Sequence, residues 1–590
     1  MKDFLKFTFA TVTGIVLSCI VLFFISVVVF FSMIMSFDSR ETIVRENSIL
    51  MLDFNGDLME RTADNPLDRI LGTEFTSYYG LDDILSSIRK ARDNENIKGL
   101  YLQATNLSAS YASLLEIRNA LLDFKSTGKF IITYGDYYTQ RLYYLSSVAD
   151  KVMLNPCGGI EWKGLASKPV FFKNLLQKIG VEMQVFKVGT YKSAVEPYIG
   201  TEMSPENRKQ VTEYVSSIWN QLVNDVSESR NISVDSLNDY ADRMLMYHPT
   251  EEFVRCGLAD TLIYKNDVRD YLKSYMQMDK DSRLTILGLN DMKNVKRNVP
   301  KDISGNVIAV YYAFGAIDNI GISSNEEGIV SAKVIKDLRE LKNDDHVKAV
   351  VLRVNSPGGS AYGSEQIWYA VSELKKKKPV VVSMGDYAAS GGYYISCAAD
   401  CIVAEPTTLT GSIGIFGIVP NAEKLTNKVG ITFDVVKTNK YADFGSVERP
   451  FNTGERALLQ MKINQGYDLF LTRCAEGRNM SKKEVDKIAQ GRVWTGADAK
   501  ELGLVDELGS IDKALEIAVQ KADVESYTVM AYPEKKDFLS SLLESKPDNY
   551  VESRLLKSKL GNYYNEFNLL RNIEKNDFIQ ARLPMDLNIE

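Results

Sequence analysis

The second half of this 590-residue chain repeats the first half. Gly135-Asp136-Tyr137 recurs 250 residues later as Gly385-Asp386-Tyr387. Farther along, Arg230-Asn231-Ile232-Ser233 recurs as Arg478-Asn479-Met480-Ser481, with the offset reduced to 248 residues. An offset that drifts only at loops indicates two copies of one domain. The chain is therefore expected to fold as two tandem domains of one architecture.

Each copy alternates strand-like apolar runs with amphipathic helical segments. The strand-like runs span residues 49–54, 99–103, 130–134, 307–312, 349–354 and 380–384, and the helical segments span 81–92, 112–124, 331–341 and 364–376. Alternation of this kind predicts an α/β fold built from βαβ units.

One long apolar segment precedes the two copies. No charged residue lies between Lys6 and Asp38, and residues 7–35 are mostly Val, Ile, Leu, Phe and Met. About 20 such residues span a bilayer as a helix, whereas a secretory signal peptide has an apolar stretch of about 7–15 residues. We therefore predict an uncleaved transmembrane anchor. Because Lys2 and Lys6 precede the segment while Asp38, Arg40 and Glu41 follow it, the positive-inside rule favours a cytoplasmic N-terminus and an exported body.

The chain divides into five parts by composition and by the limits of the repeat. Residues 1–37 contain the N-terminus and the anchor. The first domain covers residues 45–285, a polar linker covers 286–304, and the second domain covers 305–534. Residues 535–590 form a tail of alternating charge that has no duplicate in the first copy, and the sequence predicts no role for it.

Bulk composition argues against several classes of function. A net charge of −7 offers no basic surface for nucleic acid. The two histidines, His248 and His346, lie in loop-like stretches, so a Ser-His-Asp triad and a histidine metal site are both disfavoured. The six cysteines show no Cys-x-x-Cys spacing, which predicts neither a zinc site nor a disulfide framework. We expect no metal and no cofactor.

Residues 380–400 have the pattern of a strand, a tight turn and a helix, with Ser390 at the helix start. Unpaired backbone N–H groups at a helix N-terminus favour developing negative charge, and glycines next to them let a substrate carbonyl approach. Ser390 is therefore a candidate nucleophile. The alternative is a serine that only caps the helix, which is the common role of serine at this position.

The repeat allows the two copies to be compared position by position, since features kept in both are expected to serve the scaffold. Ser390 aligns with Gln140 in the first copy, whereas Lys192 aligns with Ala442 in the second. The glycines of the loop at 353–360 also have no equivalent in the first copy. Residues present in only one copy are candidates for chemistry, so Ser390 and Lys192 are singled out.

Four motifs carry a resemblance to a known family: Asn-Ser-Pro-Gly-Gly at 355–359, Ala-Ser-Gly-Gly at 389–392, Leu-Thr-Gly-Ser-Ile-Gly at 409–414 and Gly-Thr-Tyr-Lys-Ser-Ala at 189–194. With these motifs, residues 45–530 resemble the long form of the signal peptide peptidase A (protease IV) family. The resemblance implies a membrane-anchored serine protease with two tandem domains of the ClpP/crotonase-like fold.

The resemblance implies a Ser/Lys dyad, with Ser390 as the nucleophile and Lys192 as the general base. It also implies that Ser412 hydrogen-bonds the lysine and orients it. For the oxyanion hole we expect the backbone N–H groups of Gly359 and Gly391. A lysine with this role must be neutral at the working pH, so desolvation has to lower its pKa from about 10.4 to about 7–8.

The resemblance further implies an endopeptidase that cleaves apolar peptides, such as signal peptides left in the membrane. The catalytic body would lie on the periplasmic side of a bacterial inner membrane. The enzyme would be a homo-oligomer, a tetramer by analogy with the long form. Two alternatives stay open: a crotonase-like acyl-CoA enzyme and a membrane scaffold without catalytic activity.

Overall fold

A computed structural model describes residues 2–38, 41–62, 77–296, 302–318, 328–535 and 579–583. The strands in these ranges are β1 (Ser48–Met59), β2 (Ser77–Gly80), β3 (Ile97–Ser108), β4 (Phe130–Tyr138), β5 (Lys151–Ile160), β6 (Glu182–Lys187), β7 (Thr261–Leu262), β8 (Thr285–Leu287), β9 (Val307–Phe314), β10 (Val347–Ser356), β11 (Gly358–Ser360), β12 (Val380–Ala389), β13 (Cys401–Ala404), β14 (Leu409–Gly411), β15 (Phe416–Asn421), β16 (Val493–Thr495), β17 (Glu507–Leu508), β18 (Thr528–Tyr532) and β19 (Ile579–Arg582). The α-helices are Lys2–Asp38, Leu81–Asp93, Tyr111–Ser126, Gln140–Ser146, Lys173–Ile179, Glu196–Ile199, Pro205–Arg230, Val234–Asp242, Thr250–Arg255, Val268–Tyr275, Leu289–Lys293, Ser331–Asn343, Ala361–Lys375, Gly391–Ser396, Glu423–Lys428, Thr453–Arg478, Lys482–Ile488, Gly496–Glu501 and Ile511–Ala522. Part of the predicted linker, 297–301, and most of the predicted tail, 536–578 and 584–590, lie outside the described residues.

The predicted α/β fold in two tandem copies is confirmed. The first sheet has the strand order β2-β1-β3-β4-β5-β7, with β8 beside β1. The second sheet runs β18-β9-β10-β12, and β12 then pairs with both β13 and β14. The parallel run β9-β10-β12-β13 therefore repeats the parallel run β1-β3-β4-β5. Each element identified from the apolar pattern coincides with an observed strand or helix to within a few residues.

The duplication extends to the ends of the long helices. The helices Pro205–Arg230 and Thr453–Arg478 each contain 26 residues. Each is followed by an asparagine in the left-handed conformation, Asn231 with φ 54° and Asn479 with φ 52°. Asparagine visits this conformation more readily than most residues because its short polar side chain hydrogen-bonds locally. This shared helix end explains the Arg-Asn pair that recurs in the sequence.

A third sheet joins the two copies, in the strand order β11-β19-β15-β6. Strand β6 belongs to the first copy and pairs antiparallel with β15 of the second. The pairing extends from Lys187 opposite Phe416 to Glu182 opposite Asn421. The loop that follows β6 is therefore directed into the second copy.

A buried ion cluster also crosses the boundary between the copies. The Arg353 guanidinium, on β10, donates hydrogen bonds to both carboxylate oxygens of Glu60, at 2.9 and 3.0 Å. It also donates to one carboxylate oxygen of Glu116, at 2.6 Å. All three side chains are buried, and burial raises the pKa of the Glu116 carboxyl. The Asn355 amide donates hydrogen bonds to Glu60 and to Asp386. The cluster therefore also fixes the loop that begins with Asn355.

The helix Lys2–Asp38 contains the predicted membrane anchor. Its segment Lys6–Ser26 has a mean hydropathy of 2.4, and none of the segment is buried against the rest of the chain. Its 21 residues match the length needed to cross the hydrocarbon core of a bilayer. The length, the composition and the exposure of this helix agree with a single-pass anchor.

Candidate active site

Ser390 lies at a sharp turn between β12 and the helix Gly391–Ser396. The strand extends to Ala389, farther than the predicted end near Gly385. Ser390 adopts φ 55° and ψ −111°, a conformation that L-residues rarely populate and that costs on the order of 1–3 kcal/mol. Its backbone N–H donates to the Gly411 carbonyl at 2.8 Å, which holds the turn in place. Its side chain makes no capping hydrogen bond to the helix, so the alternative of a simple cap does not describe it.

Ser412 lies beside Ser390 because the two residues follow paired strands. Ala389 at the end of β12 pairs with Gly411 at the end of β14, and one serine follows each of them. Ser412 also has a positive φ, 49°, and its N–H donates to the Arg492 carbonyl at 2.6 Å. Two hydroxyl groups are thereby placed at the same edge of the second sheet.

Lys192 arrives at this edge from the first copy. It belongs to the loop after β6, and its side chain is fully buried. Its Nζ lies 2.9 Å from Ser390 Oγ, 3.0 Å from Ser412 Oγ and 3.1 Å from the Ser412 carbonyl oxygen. The three side chains that the sequence predicted for the site therefore lie within hydrogen-bonding distance of one another, although Lys192 and Ser390 are 198 residues apart in the chain.

Backbone contacts hold the lysine loop against the second copy. The Tyr191 N–H donates to the Gln490 carbonyl at 2.9 Å. Gly491 has φ +77°, and a Cβ atom at that position would lie 2.7 Å from the Cα of Lys192. A Cβ at Gly414 would lie 3.2 Å from Lys192 Cδ. These two glycines leave only enough space for the lysine backbone and side chain, and only Gly414 belongs to one of the four sequence motifs.

Burial lowers the pKa of Lys192 from its ordinary value of 10.5 to about 7. A neutral lysine amine carries two N–H groups and one lone pair. With the two acceptors on Ser412 taking the hydrogens, the lone pair is directed at the Ser390 hydroxyl, whose oxygen lies 2.9 Å away. An amine placed in this way can accept the proton of that hydroxyl.

Gly359 and Gly391 lie on two segments that approach each other beside Ser390. Gly359 is the middle residue of β11, and Gly391 opens the helix after Ser390. A Cβ atom at Gly359 would lie 2.1 Å from the Ile317 carbonyl oxygen, and one at Gly391 would lie 2.6 Å from Ser364 Oγ. Neither position has room for a side chain.

Strand β19, from the tail to which the sequence assigned no role, lies between β11 and β15. It pairs antiparallel with both, with Ala581 opposite Gly359 and Ile579 opposite Gly417. The Ala581 side chain is fully buried. A single strand of four residues is too short to show periodicity in the sequence.

The two histidines lie outside this arrangement. His346 is exposed, and its Nδ1 lies 3.2 Å from the Gly305 carbonyl oxygen. His248 directly follows a single 3₁₀ turn. Among the described residues, no group of three or more His, Cys, Asp and Glu side chains is arranged to hold a metal ion.

Comparison with known proteins is in line with this geometry. The sequence matches Peptidase family S49 at residues 123–279 and 372–525, and Clp protease at residues 305–405. Protease 4 of Haemophilus influenzae is 35% identical, over 90% of this chain and 90% of that protein. The chain belongs to peptidase family S49. It is a serine protease of that family, and the resemblance inferred from its motifs is confirmed.

Two further relatives of this S49 protease extend over most of its length. Protease 4 of Salmonella typhi is 37% identical, over 84% of this chain and 82% of that protein. The protein named Serine protease SPPA, chloroplastic, of Arabidopsis thaliana is 31% identical, over 82% of this chain and 70% of that protein. The first S49 match contains Lys192, and the second contains Ser390 and Ser412.

Proposed function

We propose that this S49 protease is a membrane-anchored endopeptidase in which Ser390 is the nucleophile and Lys192 is the general base. The observation that carries the proposal is the distance of 2.9 Å between a fully buried lysine amine and a serine hydroxyl. Burial supplies the neutral lysine that the chemistry requires, since it lowers the pKa of Lys192 to about 7. The domain at 45–285 contributes the lysine and the domain at 305–534 contributes the serine.

Hydrolysis proceeds through an acyl-enzyme. Ser390 Oγ attacks the carbonyl carbon of the scissile bond while Lys192 Nζ takes the hydroxyl proton. The tetrahedral intermediate collapses, and Lys192 returns the proton to the departing amine. Water then attacks the ester on Ser390, with Lys192 as the base for the second time, and the free hydroxyl is restored.

Two backbone N–H groups, those of Gly359 and Gly391, form the oxyanion hole in this mechanism. The position of the Ala581 carbonyl oxygen supports the assignment. A Cβ atom at Gly391 would lie 3.0 Å from that oxygen, and Gly359 pairs with Ala581 across the two strands. A peptide carbonyl can therefore lie against both glycines at once. Donors of this kind each contribute about 10²- to 10³-fold to the rate.

Ser412 is a positioning residue. Its hydroxyl and its carbonyl oxygen both accept hydrogen bonds from Lys192 Nζ, at 3.0 and 3.1 Å. These two bonds direct the lone pair of the neutral amine toward Ser390. The Ser412→Ala substitution removes one of the two acceptors and leaves the backbone acceptor in place.

The substrates proposed are apolar peptides, including signal peptides left in the membrane. The anchor helix keeps the body close to a bilayer, where such peptides accumulate, and the cleft between β11 and β15 binds a peptide as an extended strand. Lys2 and Lys6 before the membrane span favour a body on the periplasmic side of a bacterial inner membrane.

We further propose a ring-shaped homo-oligomer, a tetramer. By the 250-residue offset, residues 432–437 are the second-copy equivalent of β6, and residues 166–171 are the first-copy equivalent of β15. Residues 431–440 are exposed throughout and form no strand, and Phe433 and Val435 are 54% and 45% exposed. The proposed contact pairs 432–437 of one protomer with 166–171 of the next, in the register that β6 and β15 adopt within one chain.

The catalytic assignment is tested by substitution and by labelling. Ser390→Ala should reduce hydrolysis of a fluorogenic apolar peptide to background, and Lys192→Ala should reduce kcat by about 10²- to 10⁴-fold. A fluorophosphonate should label the wild-type protein and fail to label Ser390→Ala. Lys209→Ala, at an exposed lysine on the helix Pro205–Arg230, is the matched control and should keep wild-type activity. Wild-type hydrolysis by either dyad variant would refute the assignment.

The oligomer is tested separately by light scattering in detergent. Phe433→Glu should shift the protein from a tetramer to smaller species, because it places a charge in the proposed strand contact. Tyr247→Glu, at a side chain that is 78% exposed in the first copy, is the control and should leave the mass unchanged. An unchanged mass for Phe433→Glu would exclude this contact.

A further inference from the structure

Asn355 contacts both segments that carry the proposed oxyanion hole. It is the next-to-last residue of β10 and lies four residues before Gly359 in the chain. Its side-chain oxygen accepts a hydrogen bond from the Tyr387 N–H at 3.1 Å, and β12 continues from there to the turn before Gly391. At the offset of 250 residues, the first copy has Thr105 at this position. Asn355 therefore belongs to the residues that occur in only one copy.

The hydrogen bond from Tyr387 lies at a β-bulge. Residues 385–387 of β12 lie opposite Asn355 alone, between two regular pairs of the ladder. A bulge leaves residues of the longer strand without ladder partners, and it bends that strand. The Asn355 side chain supplies an acceptor for one of these backbone groups, the Tyr387 N–H. The orientation of the Asn355 amide therefore contributes to the direction in which β12 approaches Ser390.

A carboxylate from the first copy binds the nitrogen of this amide. Glu60 directly follows β1, and its Oε1 accepts a hydrogen bond from Asn355 Nδ2 at 2.9 Å. The same buried carboxylate accepts two hydrogen bonds from Arg353, at 2.9 and 3.0 Å. Gly385 gives the carboxylate room, since a Cβ atom at that position would lie 2.5 Å from Glu60 Oε1. Glu60 therefore holds the amide with its nitrogen toward the first copy and its oxygen toward Tyr387.

Asp386 binds the same nitrogen from the second copy. Its Oδ2 accepts a hydrogen bond from Asn355 Nδ2 at 3.2 Å. Its Oδ1 accepts hydrogen bonds from the hydroxyl groups of Ser110 and Ser113, and from the Ser113 N–H at 3.1 Å. These two serines lie at the start of the helix Tyr111–Ser126 in the first copy. Each carboxylate beside Asn355 thus joins the two copies, so the orientation of the amide depends on how the copies dock.

We propose that Asn355 is a positioning residue for the oxyanion hole and that Glu60 of the first copy holds it in its working orientation. The proposal rests on the mechanism given above, in which the N–H groups of Gly359 and Gly391 bind the oxyanion. The two glycine segments are in contact, since a Cβ atom at Gly358 would lie 2.7 Å from the Gly391 nitrogen. A misplacement of about 1 Å between reacting groups costs on the order of 10²-fold in rate. The first copy thus contributes a support for the oxyanion hole in addition to the general base.

Glu116 provides a matched comparison, because it binds the same arginine without a hydrogen bond to Asn355. It accepts one hydrogen bond from Arg353, at 2.6 Å, and its Oε2 has no hydrogen-bond partner in the described parts of the chain. Glu116→Gln can therefore keep this bond through its amide oxygen. Glu60→Gln cannot keep the bonds from both Asn355 and Arg353, because its NH₂ group faces a donor in either orientation. Either variant leaves Arg353 with one carboxylate partner, so the two substitutions should change stability to a similar degree.

The assay is hydrolysis of a fluorogenic apolar peptide by the full-length protein in detergent. Each rate is divided by the fraction of Ser390 that a fluorophosphonate labels at completion, which removes the effect of unfolded protein. Glu60→Gln should lower kcat by about 10- to 10²-fold and leave KM within about twofold, because oxyanion donors act on the transition state. Glu116→Gln should keep the wild-type kcat. The pH midpoint of kcat should be the same in Glu60→Gln as in the wild type, since Lys192 keeps its surroundings, and a shifted midpoint would contradict a role through Asn355.

Reversing the hydrogen bond between Glu60 and Asn355 separates positioning from a loss of stability. Asn355→Asp sets a carboxylate against Glu60 and Asp386 and should lower kcat by about 10²-fold. Combining it with Glu60→Gln provides an NH₂ group that donates to the new carboxylate, so the double variant should have a higher kcat than Asn355→Asp alone. Two independent defects would instead add, and kcat would fall further.

Two results would overturn the positioning role and leave the dyad in place, provided that the wild-type protein hydrolyses the peptide and is labelled at Ser390. One is an equal kcat for Glu60→Gln and Glu116→Gln. The other is a double variant whose kcat is no higher than that of Asn355→Asp. A wild-type protein that neither hydrolyses the peptide nor reacts with fluorophosphonate would overturn the mechanism on which the proposal rests.

Discussion

Peptide hydrolysis by this protease is expected to depend on the protonation state of Lys192. In the proposed mechanism the lysine has to be neutral to accept the Ser390 proton, and burial lowers its pKa to about 7. Changing the pH from 8 to 6 should therefore lower kcat by about tenfold, because the neutral fraction falls from about nine tenths to about one tenth. Above pH 8 the rate should reach a plateau.

The size of the pKa shift follows from the burial of the Lys192 amine. Lowering the lysine pKa from 10.5 to about 7 corresponds to about 5 kcal/mol of disfavoured charge. The described structure has the cleft filled by β19, so this pKa belongs to the occupied site. The pH dependence of kcat reports the occupied enzyme, whereas that of kcat/KM reports the free enzyme. The kcat profile is therefore the one to compare with the structure.

The assay is the initial rate on a fluorogenic peptide at saturating concentration, between pH 5.5 and 10. Ser412→Ala should shift the midpoint as well as lower the rate, because one acceptor of the amine is lost. The Lys209→Ala control should reproduce the wild-type midpoint. A kcat that still rises tenfold per pH unit between pH 8 and 9.5 would mean that the lysine keeps its ordinary pKa, and it would refute the argument from burial.

Three further predictions concern the scaffold of the site. Arg353→Met leaves the Glu60 and Glu116 carboxylates buried without their partner, so we expect it to lower the free energy of unfolding in urea by about 3–5 kcal/mol. Glu405 directly follows β13, and its side chain is buried. Burial raises the pKa of Glu405 above its unfolded value, so its contribution to stability is present at pH 4 and is lost as the pH rises through about 8. Glu405→Gln should therefore raise the melting temperature at pH 9 and change it little at pH 4, and equal shifts at both values would contradict this. Gly359→Ala places a Cβ atom 2.1 Å from a backbone oxygen and should lower kcat by about 10²- to 10³-fold with the circular dichroism spectrum unchanged.

The repeat allowed much of the fold and the centre of the site to be predicted. Two copies of one α/β domain follow from recurring motifs and from apolar runs of strand length. Ser390 and Lys192 could be singled out because each occurs in only one copy. Their separation of 2.9 Å could not be predicted, because it depends on β6 of one copy pairing with β15 of the other. Pairing between distant strands leaves no local periodicity in the sequence.

Other parts of the site gave weaker signals or none. Arg353, Glu60 and Glu116 are charged residues, which usually lie at the solvated surface of a protein. Only their mutual contacts explain why all three are buried. Strand β19 is four residues long and pairs only with distant residues, so neither length nor alternation distinguishes it from a loop. Gly491 lies outside the motifs considered, and its role depends on how closely Lys192 approaches it.

Because the lysine and the serine lie on different copies, their placement determines when activity can begin during synthesis of the chain. A ribosome completes the first copy, with its lysine, well before the serine 198 residues later has been made. In the proposed mechanism, a partly made chain therefore holds the general base without the nucleophile. Hydrolytic activity can begin only after the second copy has folded and β15 has formed to receive β6. In the proposed mechanism, the nascent protein therefore cannot hydrolyse other proteins before its second copy has folded.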